Sequence, residues 1–513
     1  MMSKQKKKLF LLLGIFVALV ALYFAVIVPL VESGMIPVET NPPETVEGEV
    51  IGLNDRYMIY PQVERKGISS LKVENAHGSY EFYQDKNGAF QLRGLEGVAY
   101  DQTKFANLVT SVGYPLAKVK VVDNATDEEL ENFGLLTPRA YWTLTTTAGK
   151  TYRVAVGYDL LTGGGYYVML DGRRSVYVLD STLEDGVLAS VEYMTSCILI
   201  TGLSQESYLV MDNFTIQRNG ETFIRISQVP ESERVNDQAL LENVISYPAG
   251  YYPNEELYYE VLFSYIEYTG NSVLHLNPTS EEDLACGLPD MHAEDAESAA
   301  YRVSFEVAGE PVILYFSEKQ PNNTYNVVSS LFPEKIVSVS ADSCKYLEKD
   351  LLSWLARYPF QQWIVTVSAM EIRGAGADVK FNLYHGRDKE GNGTLEVRSS
   401  TGKYIPNADV TNFRQFYRTL LSVKIEDYVP MTAEEIAALT ADEANCLLSF
   451  TITNLKGQDT VYKFYPYSGS GRRALMTVNG HGEFYVLTDL VEKIASDANK
   501  VLAGLDVNSY AKD

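Results

Sequence analysis

Two neighbouring stretches decide the fold class of this chain: Gly149-Lys-Thr-Tyr-Arg-Val-Ala-Val-Gly157 and Tyr166-Tyr-Val-Met-Leu-Asp-Gly-Arg-Arg-Ser-Val-Tyr-Val-Leu179. Apolar residues alternate with polar ones in both, which is typical of β-strands with one face in a core. Asp171-Gly172 is typical of a type I′ hairpin turn between the last two strands. The two stretches therefore predict an antiparallel β-meander.

A relaxed version of this meander occurs twice more. The glycines that open the three copies, Gly149, Gly309 and Gly457, are spaced by 160 and 148 residues. This spacing is close to the usual size of a domain and too long for a solenoid repeat. We therefore predict an α+β protein with three similar repeated modules, each an antiparallel β-meander with one or two helices. The predicted modules are residues 51–195, 196–353 and 354–513.

Two kinds of helix are predicted in each module. A short acidic helix precedes each meander and begins with a capping box, in which a Thr hydroxyl and a Glu carboxylate satisfy free backbone N–H groups. The capping boxes are Thr126-Asp-Glu-Glu129, Thr279-Ser-Glu-Glu282 and Thr432-Ala-Glu-Glu435. A longer amphipathic helix lies further upstream. These longer helices are expected at Asp101–Val112, Asn236–Ser246 and Asp409–Val423.

Two segments stand out from the repeat. The second module departs most from the first over Tyr247–Tyr268. The aromatic stretch Trp354–Phe360 is positioned to pack one module on the next.

The N-terminal region predicts a membrane anchor. Leu9–Val31 is a run of 23 residues without a charge, and a transmembrane helix needs about 20. A cleaved signal peptide is the alternative, but its apolar region is normally about 7–15 residues long. Lysines precede the run and acidic residues follow it, so the positive-inside rule places the basic tail 1–8 in the cytoplasm. Residues 32–50 form a Pro- and Glu-rich linker, and the remainder is predicted to be extracytoplasmic.

Charge and cysteine placement limit the possible partners and crosslinks. The formal net charge of −24 argues against a nucleic-acid partner and against general adhesion to anionic lipid. Four cysteines in an exported chain invite a disulfide interpretation. However, Cys286 and Cys446 occupy the position that Phe133 holds in the first module. We therefore predict free, buried thiols.

No catalytic, cofactor or metal site is predicted, and the chain is not expected to be an enzyme. The five histidines are dispersed, without the spacing of metal ligands. Gly163-Gly-Gly165 is followed by Tyr-Tyr rather than by the Lys-Ser/Thr of a phosphate-binding loop. The recurring Glu-Glu pairs are better explained by helix capping than by acid–base catalysis. A glycosidase pair of carboxylates remains an alternative, because its members need not be close in sequence.

The pattern resembles a known bacterial family. The Lys-rich N-terminus, the single anchor, Phe133-Gly-Leu-Leu-Thr-Pro138 and the meander up to Leu179 are similar to the domain of unknown function 4340 (DUF4340) family. The resemblance covers roughly residues 70–200 and is weaker in the later modules. Members often accompany an ABC-type exporter with a gliding-motility-like auxiliary protein. The resemblance implies an extracytoplasmic accessory subunit, with an ABC permease or auxiliary protein as its partner, and no catalytic residue.

Three hypotheses for function follow. The first is a membrane-anchored binding and scaffolding protein, the second an envelope enzyme or binding module acting on cell-wall glycan or peptide, and the third a structural spacer. Because clustered exposed aromatic residues often mark an interface, paired tyrosines are the predicted partner surface. They are Tyr166, Tyr167, Tyr251, Tyr252, Tyr258 and Tyr259.

Overall fold

The computed structural model describes residues 44–235, 241–248, 250–292, 299–400, 404–405, 407–467 and 471–509. The predicted basic tail, the anchor Leu9–Val31 and the first part of the linker lie outside these residues. Within the described part, no helix is both long enough and apolar enough to cross a membrane. The chain divides into two compact units, Met1–Met194 and Thr195–Asp513.

The first unit is built on one eight-stranded antiparallel sheet with the order β5-β4-β3-β7-β8-β9-β10-β6, beside a two-stranded sheet β1-β2. Its strands are β1 (Val50–Ile51), β2 (Tyr57–Met58), β3 (Ile68–Asn75), β4 (Gly78–Gln84), β5 (Phe90–Leu92), β6 (Val119–Val122), β7 (Ala140–Thr146), β8 (Thr151–Asp159), β9 (Gly165–Leu170) and β10 (Val176–Asp180). Its α-helices are α1 (Gln102–Gly113), α2 (Asp127–Asn132) and α3 (Val191–Met194).

The second unit contains an eight-stranded and a nine-stranded sheet, which correspond to the second and third predicted modules. The strands of its first half are β11 (Ile198–Ile200), β12 (Met211–Arg218), β13 (Glu221–Gln228), β14 (Asn243–Tyr247), β15 (Tyr268–Thr269), β16 (Ser272–Leu276), β17 (Tyr301–Val307), β18 (Glu310–Phe316), β19 (Thr324–Ser329) and β20 (Phe332–Ser340). Those of its second half are β21 (Val367–Gly374), β22 (Ala377–Arg387), β23 (Gly393–Ser399), β24 (Tyr404–Ile405), β25 (Asp427–Tyr428), β26 (Leu448–Asn454), β27 (Asp459–Pro466), β28 (Arg473–Val478) and β29 (His481–Leu487). Its α-helices are α4 (Glu255–Ser264), α5 (Ser280–Ala285), α6 (Leu351–Trp354), α7 (Asn407–Leu421), α8 (Ala433–Thr440) and α9 (Thr488–Ala503).

The three large sheets share one strand order. The second sheet runs β14-β13-β12-β17-β18-β19-β20-β16, and the third runs β24-β23-β22-β21-β26-β27-β28-β29-β25 with β24 as an added edge strand. In each, three strands form one half, four meander strands form the other, and the strand that follows the long helix closes the far edge. The predicted antiparallel meanders are confirmed. The described chain is mostly β-sheet with a few helices.

The capping boxes are confirmed in all three modules. Glu129, Glu282 and Glu435 donate their backbone N–H to the hydroxyl oxygens of Thr126, Thr279 and Thr432 over 3.2, 3.3 and 3.3 Å. The glutamate carboxylates accept in return from the threonine backbone N–H groups over 2.7, 2.8 and 2.8 Å. Each box begins one of the short helices α2, α5 and α8.

Both faces of each meander are buried. In β8, Val154 and Val156 belong to the main core of the first unit, whereas Ala155 between them belongs to a small cluster with Leu130 of α2. Because side chains alternate across a strand, the capped helix covers the face opposite the main core. The second and third modules have equivalent small clusters. Cys286 and Cys446 lie in these clusters, as Phe133 does in the first module. No disulfide joins the four cysteines, all of which are described, but Cys286 and Cys344 are buried whereas Cys197 and Cys446 are partly exposed.

Two sequence predictions are wrong. The helix predicted over Asn236–Ser246 is not formed at its described C-terminal part, because Asn243–Tyr247 is strand β14, paired with β13. The long helix of this module is α4, inside the segment Tyr247–Tyr268 that the sequence marks as divergent. Its buried residues Leu257, Tyr258, Val261 and Leu262 have helical spacing.

The second correction concerns a turn. Asn219-Gly220 and Asn479-Gly480 both have positive φ at each residue, as type I′ turns require. Asp171-Gly172 does not: only Gly172 has a positive φ, and β9 and β10 are joined by the five residues 171–175.

A buried charged cluster fixes the start of the described chain to the first sheet. The Glu49 side chain is fully buried and lies 3.0 Å from Lys120 Nζ of β6. Tyr177 of β10 donates its hydroxyl proton to the same carboxylate. Burial lowers the pKa of Lys120, but hydrogen bonds from its ammonium group to Asp123 and Glu49 outweigh this effect and raise it overall. The three side chains thus join the linker to two strands at one edge.

We expect Glu49→Ala to lower the free energy of unfolding by about 3 kcal/mol, because it removes the buried carboxylate that Lys120 and the Tyr177 hydroxyl share. Asp123→Asn is the matched control: Asp123 also contacts Lys120, but its side chain is 74% exposed, so this change should cost less than about 1 kcal/mol. Urea unfolding of both variants checks the difference. Equal losses in the two variants would contradict the assignment.

Candidate functional site

The six predicted surface tyrosines do not form one exposed patch. Tyr166, Tyr251 and Tyr258 are buried in the main cores. The ring of Tyr167 packs 4.6 Å from that of Phe133, and the Tyr259 hydroxyl accepts a hydrogen bond of 2.9 Å from Asn243. Tyr166 and Tyr167 lie on β9, and Tyr258 and Tyr259 lie on α4, whereas Tyr251 and Tyr252 precede α4 outside the named strands and helices. The prediction of an exposed partner surface is therefore wrong for Tyr166, Tyr251 and Tyr258.

Tyr252 is the one member of the set that lies at a concave site. It lines two adjoining hollows of about 330 and 460 Å³ in the second unit, which also share Asn243, Glu255 and Gln361. We call the two hollows together the inter-module groove, because its walls come from the second and third modules. Sites of this kind occur preferentially where two domains meet.

The backbone of the groove is fixed by the way the chain passes from one sheet to the next. After α6, the chain runs alongside the segment that precedes α4. Ala356 donates its N–H to Tyr252 O over 2.8 Å, and Asn254 donates to Trp354 O over 2.7 Å. On the far side, the hydroxyl of Tyr417 donates to Gln362 O over 2.6 Å. These contacts hold residues 355–363 in place without a regular helix or strand.

The aromatic side chains of the groove are unusually exposed. Trp363, in the larger hollow, is 66% exposed, whereas the other two tryptophans of the chain, Trp142 and Trp354, are fully buried. Tyr358 lines the smaller hollow and is 48% exposed. The groove therefore presents an aromatic surface in each hollow.

Amide groups form a second feature of the groove. The Gln362 amide nitrogen donates to the hydroxyls of Tyr252 and Tyr462, each over 3.3 Å. Its carbonyl oxygen is buried and has no hydrogen-bond partner within the described residues. An unsatisfied buried acceptor costs about 1–3 kcal/mol. The other amide side chains that line the groove are Asn243, Asn254, Gln361, Asn454 and Gln458.

Three carboxylates and one guanidinium, that of Arg357, line the groove. Burial raises the pKa of the Glu242 carboxyl, and the nearby cations Arg234 and Lys456 oppose this effect. Burial also raises the pKa of Tyr252 to about 12, with a smaller contribution from Glu242. Glu233 and Glu255 are two further carboxylates on the walls. Such a site favours ligands that are neutral or positively charged.

The sequence predictions missed the residues that make this groove. Trp363 lies four residues before the start of β21, outside the strand. The aromatic stretch Trp354–Phe360 does pack the modules together: the Trp354 ring lies 5.8 Å from Phe214, and the Phe360 ring lies 4.3 Å from Tyr462. The sequence feature that could have indicated the groove is a tryptophan preceded by two glutamines, outside any alternating apolar pattern.

Among the described residues, no group of three or more His, Cys, Asp or Glu side chains is arranged to hold a metal ion. Comparison with known proteins gave no match to a family model, to a curated protein or to a solved structure.

The exposure of Trp363 can be measured by fluorescence quenching. We expect one of the three tryptophans to be accessible to acrylamide and iodide, because the other two are fully buried. Trp363→Phe should remove the quenchable, red-shifted part of the emission, whereas Trp142→Phe should leave it in place. Retention of strong quenching in Trp363→Phe would show that another indole is exposed.

Proposed function

We propose that this chain is a membrane-anchored, extracytoplasmic binding and scaffolding protein, an accessory subunit of an ABC-type export or gliding-motility-like envelope complex. The observation that carries the proposal is the single hydrophobic core shared by the two sheets of the second unit. A scaffold must hold binding surfaces at fixed positions, and a continuous core does so better than a flexible linker.

The contacts between the two sheets support this rigidity. The Tyr251 ring lies 5.5 Å from Phe484 in an edge-to-face arrangement. Leu352 donates its backbone N–H to the Tyr428 hydroxyl over 3.2 Å, and Arg357 Nε donates to Ile425 O over 2.8 Å. Apolar and polar contacts thus act together across this junction, as in a well-packed interface.

A non-catalytic role agrees with how the paired glutamates are used. Glu129, Glu282 and Glu435, the most regular acidic feature of the sequence, each accept a hydrogen bond from a helix N-cap. Their carboxylates therefore stabilise helices, which accounts for their recurrence without any chemistry.

Membrane attachment and partner choice rest on the sequence. The uncharged run Leu9–Val31 supports a single-pass anchor with a cytoplasmic N-terminus. The resemblance to the DUF4340 family supports membership of that family and an ABC permease or its auxiliary protein as the partner. The acidic composition supports a protein partner over nucleic acid.

Photo-crosslinking in intact cells tests the proposal. A photoreactive amino acid at Tyr158, Leu161 or Tyr384, all exposed, is expected to give reproducible crosslinks to an ABC permease or its auxiliary protein. Deletion of residues 1–31 should abolish these links and release the chain from the membrane fraction. Replacement of the anchor by an unrelated single-pass helix should preserve them, because the folded modules make the contact. Links only to wall material, or to nothing, would refute the accessory role.

A further inference from the structure

We infer that the inter-module groove binds a neutral oligosaccharide. The inference goes beyond the scaffolding role and does not depend on it, since it rests on the aromatic rings, the amide groups and the covered backbone of this groove.

The aromatic surfaces provide the first argument. An exposed tryptophan loses a favourable contribution that burial of its large apolar ring would supply. Trp363 nevertheless stays 66% exposed in the larger hollow, while the other two tryptophans of the chain are fully buried. A flat ring of this kind complements the apolar C–H face of a pyranose. Tyr358 offers a second ring in the adjoining hollow, so the groove fits an oligosaccharide better than a single sugar.

The hydrogen-bonding groups provide the second argument. Sugar hydroxyls both donate and accept, as do the side-chain amides of Asn and Gln. The buried carbonyl oxygen of Gln362, which has no partner in the described part of the protein, needs a donor. The rest of that amide is fixed by Tyr252 and Tyr462. Because this oxygen is buried, a ligand hydroxyl would reach it only after a small shift of the Gln362 side chain or of its neighbours.

Charge disfavours an acidic ligand in the larger hollow, whose described lining includes three carboxylates and no Lys or Arg, although Arg234 and Lys456 lie near Glu242. Glu233, Glu242 and Glu255 line the larger hollow, and a carboxylate or sulfate placed among them would be repelled. The pKa of Glu242 is already raised by burial, so that a further negative charge nearby would add to its cost. A neutral sugar meets no such penalty, and its hydroxyls can donate to these carboxylates.

The backbone of the groove argues against an extended peptide. Peptides commonly bind by adding a strand to a free sheet edge. β14 is the edge strand nearest the groove, but Ile245 of β14 already donates its N–H to Tyr251 O over 2.9 Å. The carbonyl of Tyr252 is likewise occupied by Ala356 N–H. Recognition is therefore left to side-chain rings, amides and carboxylates, the groups that suit a sugar.

Binding can be measured on the full chain in lipid nanodiscs, because maltoside detergents carry sugar headgroups that would compete. The probes are chitotetraose, cellotetraose and maltotetraose, titrated by calorimetry and by tryptophan emission. We expect at least one of them to bind and to shift the emission of Trp363. Trp363→Ala and Gln362→Leu should each weaken binding by roughly tenfold or more.

Tyr384→Ala is the matched control, because Tyr384 is an exposed aromatic residue of the third module that does not line the groove. It should leave affinity unchanged. Trp363→Phe, which keeps a flat ring, should retain part of the affinity, and an unchanged thermal unfolding curve shows that each variant is folded. The inference is wrong if none of the three probes binds at about 5 mM, or if Trp363→Ala binds as well as Tyr384→Ala does. Neither result affects the crosslinking test of the accessory role, so the two proposals can fail independently.

Discussion

The burial of both faces of the four-stranded meander is the constraint on which the rest of the structure depends. A sheet with one buried face needs only one layer of helices, but here alternate residues of the same strand, such as Val154 and Ala155, enter two different cores. The second buried face extends over the meander alone, so a short helix or turn is enough to cover it. The capped helix or the turn after it contributes to this cover: Leu130 of α2 in the first module, Ile436 of α8 in the third, and Cys286 after α5 in the second. The capping box that begins each of these helices recurs with the meander.

The groove is a consequence of joining two such sheets through one core. The chain must leave the second module at Trp354 and enter the third at Val367, and the intervening residues cannot pair with either sheet along their whole length. Their backbone groups are satisfied by single hydrogen bonds to both sides, which leaves an irregular, polar wall. Side chains on this wall are free of the alternation that buries aromatic residues elsewhere. Trp363 is exposed for that reason.

The parts of the fold that could be predicted from the sequence are those encoded by neighbouring residues. Capping boxes depend on contacts within four residues, and the structure forms them where the sequence predicts them. The helix expected over Asn236–Ser246 failed in its described part because Ile245 pairs with Ile226 of a distant strand, and tertiary pairing overrides a local apolar period. The groove could not be predicted at all. Its walls combine residues near 230–255, 355–366 and 452–460, which no local pattern connects.

The buried cluster around Glu49 determines how a pulling force on the N-terminal side of the first sheet would be transmitted. Tension applied to the chain ahead of residue 49 reaches the large sheet through Lys120 and Tyr177, two side chains on adjacent strands at one edge. The force is thus carried by an ion pair and a phenol hydrogen bond before it acts on the backbone hydrogen bonds between the strands. If these two contacts broke, the chain ahead of β1 would extend by a few residues while every strand of the sheet stayed in register. The cluster would therefore break before the pairing of the strands does.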